Sequence, residues 1–201
     1  MTVGRTRAKQ LVARCLLTAL VAYDLFALGV STPELAVRSS ADELHVSAPR
    51  LHFLTGKSLQ RLHDGAAVPF DFQLTLAAGT HNNVVAQALE RFIVSYDVWE
   101  EKFSVVRLRD FRKSGSHLSA SAAEAWCLDN IFASKASLPA GQPLWARLEV
   151  RSAEQKEVAA ISQDSGISLT ALIEVFSRPT RPQQEHWALE SAPFRLADLK
   201  P

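Results

Sequence analysis

From Val68 to Leu76 apolar and polar residues alternate without a break, and that run restricts what the chain can fold into more than any other feature. Val68, Phe70, Phe72, Leu74 and Leu76 take one side, while Pro69, Asp71, Gln73 and Thr75 take the other. A period of two is the pleat of a β-strand with one face in a core and one in water. Phe92, Val94, Tyr96 and Val98 repeat the pattern against Arg91, Ser95 and Asp97. A β-branched stretch over 103–108 follows the charged residues Glu100, Glu101 and Lys102, so the two runs predict a hairpin with a short loop. Leu144, Ala146, Leu148 and Val150 predict a fourth strand over 144–150. A fifth covers about 44–53, where Leu44, Val46 and Ala48 alternate until Pro49 slips the phase to Leu51 and Phe53; the slip is read as a bulge or an edge position.

Three helices are predicted. One covers about 57–64, with Thr55 or Ser58 near its start and Gly65 as its stop. A second covers about 119–128, opened by Ser119 or Ser121. A third covers about 168–177, where Leu169, Leu172, Ile173 and Phe176 form one apolar stripe, Ser168 can cap the start, and Pro179 and Pro182 end it. Several alternating strands with hairpin spacing and few helices point to a mainly β fold: an antiparallel β-sandwich of immunoglobulin-like type with two or three short helices. A doubly wound parallel sheet needs strand–helix alternation and strands apolar on both faces, and neither pattern occurs. The expected organisation is a signal peptide or membrane anchor over 1–31, a linker over 32–43, the sandwich domain over 44–155, and a C-terminal amphipathic helix and tail over 156–201. With 201 residues, 47% hydrophobic, the chain can bury a core without disulfides or metal.

The N-terminus is an address. Arg5, Arg7, Lys9 and Arg14 precede an apolar run over 15–30, the order of a secretory signal, and the positive flank stays on the cytoplasmic side. Ala27 and Gly29, or Gly29 and Ser31, offer small residues for cleavage. Asp24 interrupts the run; a carboxylate at the middle of a spanning helix costs about 2.5–3.5 kcal/mol. A cleaved signal, an uncleaved anchor and a buried helix all stay open. The first two place the body in the periplasm or on the outer face of the cytoplasmic membrane, with membrane contact through the N-terminal segment. Residues 38–201 carry 18 Lys and Arg against 19 Asp and Glu, so the body has no broad cationic field and nucleic acid is not an expected partner. Cys15 lies in the apolar run, which leaves Cys127 unpaired if that run is removed or embedded, so disulfides do not hold the fold.

No catalytic motif stands out. Gly56-Lys57-Ser58 resembles the tail of a phosphate-binding loop, but Leu51 occupies the place of the glycine such a loop needs, and the segment is read as a helix start. Cys127 and His117, with Asp129 nearby, are the least poor nucleophile and base, yet Cys127 sits between Trp126 and Leu128 on an alanine-rich helix, the setting of a small buried hydrophobe. The histidines lack metal-site spacing, no G-x-S-x-G turn occurs, and no cofactor is expected. Trp99 and Trp145 fall on the outward phase of their strands, and large exposed aromatics mark contact surfaces; a covering helix or tail is the plainer account of both. Together with the stripe of Leu169, Leu172, Ile173 and Phe176, they are the candidate partner-contact residues. The polar face of that helix lacks the lysines and arginines an anionic membrane prefers, which favours a protein surface.

The segments Gly65-x-x-Val68-x-Phe70-x-Phe72-x-Leu74, Arg91-Phe92-Ile93-Val94-Ser95-Tyr96-Asp97, Trp99-Glu100-x-x-Phe103 and Pro193-Phe194-Arg195-Leu196-x-Asp198-Leu199 resemble an uncharacterised bacterial family, domain-of-unknown-function family 4390. The resemblance covers roughly 44–151 and the tail. It implies an envelope protein with an N-terminal signal, sometimes encoded near membrane-bound sensor kinases, and it carries no catalytic residues. The expected function is a non-enzymatic binding or accessory module acting with an envelope or membrane protein such as a sensor kinase. The alternatives are a carrier of a lipid or small apolar ligand, and an enzyme with a site assembled from distant loops.

Overall fold

The computed structural model describes residues 35–109, 113–153 and 184–199. The chain divides into a unit of Met1–Thr32 and a unit of Pro33–Pro201, and the described residues all belong to the second. The expected stripe of Leu169, Leu172, Ile173 and Phe176 lies outside the described residues, as does the N-terminal run. Among the described residues no helix is long and apolar enough to cross a membrane.

In chain order the elements are β1 (Ala36–Ser40), β2 (Glu43–Ser47), α1 (Gly56–His63), β3 (Val68–Ala78), β4 (Val84–Asp97), β5 (Lys102–Arg107), β6 (Ser114–Leu118), α2 (Ala120–Asp129), β7 (Phe132–Ser134), β8 (Leu144–Ser152), β9 (His186–Glu190) and a 3₁₀ turn (Leu196–Asp198). They make a mainly β fold with two antiparallel sheets: β1-β2-β7, and β6-β5-β4-β3-β8-β9. The strand expected at 68–76 is the centre of the larger sheet and pairs with β4 on one side and β8 on the other. The expected hairpin at 92–108 is β4–β5, although β4 begins at Val84.

The alternation sets the core. Phe70 opposes Phe92, Leu74 opposes Leu148 and Val94 opposes Val105, so the apolar residues of β3, β4, β5 and β8 share one face of the large sheet. Leu44 and Val46 of β2, Ala133 of β7, Leu62 of α1 and Cys127 of α2 join the same buried cluster. Phe53 is its hinge pin, with ring centroids 4.9 Å from Phe70 and 5.3 Å from Phe72.

Three expectations change. The linker over 32–43 is a strand pair from Ala36 onward: Val37 packs against the core opposite Val46, and Ala41, at a φ of 42°, makes the tight turn into β2. Its polar residues, Ser39 and Ser40, belong to an edge strand, which composition cannot separate from a linker. The phase slip at Pro49 is no bulge. β2 ends at Ser47, and Leu51 and Phe53 reach the core from a loop held by the Leu51 N–H on the Ala48 carbonyl at 2.9 Å. The tail, finally, belongs to the domain where it is described: β9 pairs with β8, and Phe194 and Leu144 exchange backbone hydrogen bonds at 2.8 and 2.9 Å.

The face of β3 expected in water carries buried charge. Asp71 and Arg91 stand directly opposite each other, both fully buried, and the guanidinium donates Nε–H and Nη2–H to the two carboxylate oxygens, the second at 2.6 Å. Bidentate geometry is what makes such burial tolerable. On the core face Glu90 lies 3.3 Å from Arg107 and 3.4 Å from Arg109. The Arg107 contact is close but not aligned as a hydrogen bond, and burial holds the Glu90 carboxyl above its ordinary value despite both arginines. The Arg107 guanidinium also stacks 5.7 Å from the Phe132 ring.

Candidate functional site

The β4–β5 turn places Trp99 at the tip of a hairpin, 92% exposed, beside Val98 at 51%. The turn is built, not slack. Asp97 Oδ1 accepts the N–H of Trp99 at 2.8 Å and of Glu100 at 3.1 Å. These amides, Glu100 first, hold the Asp97 carboxyl below its ordinary value. Glu101 takes the left-handed φ of 54° that lets the chain re-enter β5, and Glu100 is paired with His117 at 2.7 Å. Beneath the tip, Tyr96 packs its ring against Phe103 at 4.8 Å and His63 at 4.5 Å. An indole is thus held out in water on a stiff base.

Trp145, the second predicted contact residue, is half-buried. Its ring lies 4.6 Å from His81 of the β3–β4 connection, which in turn contacts Glu190 at 2.8 Å. Trp99 sits in the turn rather than on the strand, since β4 ends at Asp97.

A second feature had no sequence signal. Between the β2–α1 connection and α2 lies a cleft of about 200 Å³, walled by Ala48, Pro49 and Leu51 on one side and Ala125 and Leu128 on the other. His52 and Glu124 meet there. One carboxylate oxygen accepts the Leu54 N–H at 2.9 Å, and the other lies 2.9 Å from His52 Nδ1. A carboxylate only accepts, so His52 Nδ1 carries the proton in this contact. Glu124 is buried while the His52 side chain is 61% exposed at the cleft. The two residues are 72 apart, on a loop and a helix, so no spacing rule finds them.

Cys127 and His117 are not brought together as a reactive pair. Cys127 has no exposure, and burial, with the Glu124 charge adding to it, pushes its thiol well above the ordinary value. His117 is exposed and engaged by Glu100, and Asp129 pairs with Arg38 at 2.9 Å. Gly56-Lys57-Ser58 does open a helix, but its anion site is filled from within. The Glu185 carboxylate accepts the N–H of Lys57 and of Ser58, each at 2.9 Å, and the Ser58 hydroxyl as well. Among the described residues no group of three or more His, Cys, Asp or Glu is placed to hold a metal ion.

No family model, no curated protein and no solved structure matches the chain.

Proposed function

We propose that the chain is an exported envelope protein whose β domain is a non-enzymatic binding module, and that it engages a protein partner through the Val98-Trp99 tip. One observation carries this: a nearly fully exposed tryptophan on a turn locked by Asp97. Tryptophan is the side chain most enriched at interface hot spots, and a rigid turn loses little freedom on binding. Glu100 and Glu101 flank the tip, a charge pattern that disfavours an anionic bilayer and favours a protein surface. The basic-then-apolar N-terminus supports export, and the resemblance to domain-of-unknown-function family 4390 supports the same setting. The two-sheet division supports the immunoglobulin-like sandwich that the alternation predicts. A sensor kinase remains the partner class the resemblance brings forward.

The test is a photo-crosslinking amino acid at position 99 of the full chain, illuminated in the cells that make it. Defined protein adducts are expected. Adducts with lipid alone, or none, would sink the proposal.

A further inference from the structure

We propose that His117 is a proton-operated brace for the Trp99 tip, so that the partner is held more tightly when this imidazole is charged than when it is neutral. The inference rests on the tip being a protein-binding element and names what regulates it.

An irregularity in the sheet builds the brace. Gly115 of the edge strand β6 stands opposite Val105, and Leu118 stands opposite Phe103, so Ser116 and His117 together face the single residue Ser104. An extra residue of this kind is a bulge, and a bulge re-aims a side chain. His117 absorbs it in the left-handed region, at a φ of 57°, a conformation uncommon outside glycine. There its Nδ1 lies 2.7 Å from a Glu100 carboxylate oxygen. Glu100 is also one of the two residues, with Trp99, whose amides are held by Asp97. One histidine thus ties the turn that carries the indole to a neighbouring strand.

Charge sets the strength of that tie. Histidine is the side chain that changes charge near neutral pH. As imidazolium, His117 faces two carboxylates. Glu100 is in contact, and the amides of Glu100 and Trp99, with the His117 charge adding to them, lower the Asp97 carboxyl. As neutral imidazole it keeps at most one hydrogen bond to Glu100. The tip is therefore firmest below the imidazole range and above the carboxylate range, and it loosens as pH rises through the former. Glu101 lies in the same turn, Lys102 stands opposite Asp97, and His63 reaches the tip through Tyr96. Farther along β5 and on α2 the charges are engaged elsewhere: Arg107 lies by Glu90, Glu124 by His52 and Asp129 by Arg38. The His117 and Glu100 side chains are 70% and 52% exposed, and an exposed pair moves an equilibrium by only about two- to fivefold.

Nitrogen-15 NMR of the purified full chain between about pH 5 and 8 reads the tip directly. The Trp99 and Glu100 amides are expected to shift with the midpoint of the His117 ring, and the Trp99 amide to lose order as pH rises. His117→Asn accepts the left-handed φ but cannot titrate, and Glu100→Gln keeps the acceptor without its charge; each is expected to abolish this coupling, leaving only the response of His63. Amides that ignore the His117 midpoint, or that follow the same profile in both variants, overturn the proposal. In cells held across the same range, adduct yield from position 99 is expected to fall about two- to fivefold with rising pH, and to stay level in His117→Asn. A yield indifferent to pH in the unaltered His117 background overturns the regulation and leaves the binding module standing. Coupled amides with no adducts at any pH sink the binding module, and the regulation with it.

Discussion

Asp71 and Arg91 are one unit in two residues. Each is fully buried, and each is tolerable only because the other is present. Removing one partner strands a charge, so Asp71→Asn or Arg91→Met is expected to cost about 3–5 kcal/mol in urea unfolding, with the double variant recovering part of the loss. Alternation placed Asp71 correctly on the face opposite Phe70, but it says only which side a residue takes, not what lies over that side. Glu90 tests the electrostatics. Its folded carboxyl titrates above the ordinary 4.5, so the folded state holds this proton more tightly than the unfolded one. That contribution to stability is full below pH 4.5 and is lost as pH rises through the elevated folded value. Glu90→Gln should therefore flatten the fall in stability on going upward from pH 4.5, as read from urea midpoints. Cys127 gives a third check: site-resolved thiol labelling is expected to reach it only after denaturation, because burial holds it as a neutral thiol. Rapid labelling in the folded chain would revive a nucleophile there.

At the scale of elements, α1 and α2 are capped by different means. The Ser119 hydroxyl accepts the Ala122 N–H at 3.2 Å, a local cap that is visible in the sequence as a serine before an alanine-rich run. Thr55 occupies the equivalent place in α1 but makes no side-chain cap; Glu185, 127 residues beyond Ser58, supplies it instead. Glu185→Ala is expected to lower stability by about 0.5–2 kcal/mol. Gly56→Ala should do at least as much, since a Cβ there would run into Glu185 Oε1, at a φ of +56°. Circular dichroism with urea unfolding checks both. The strands with a full apolar face, β3, β5 and β8, were legible. Those with short or polar sequences, β1, β6, β7 and β9, were not, because they are held by neighbours rather than by their own pattern. Phe53 shows the opposite failure: an apolar phase was present, yet it marks a loop residue that plugs the core. Phe53→Ala should cost about 3–5 kcal/mol.

For the whole molecule, the central meander β3–β5 is local and readable, whereas the closing contacts are remote. The His52–Glu124 cleft arises only where a loop and a helix 72 residues apart meet. The tip was half legible: Trp99 was singled out, while the Asp97 turn that stiffens it depends on backbone amides. The connection from Glu185 to α1 joins the ladder of β9 on β8 in one stroke. A product stopping short of residue 184 would at once bare the outer row of amides and carbonyls on β8 and uncap α1. The far segment thus acts as an inspection stamp: chains missing it present a sticky ribbon edge and a loosened helix to proteases, and only those that carry it are sealed.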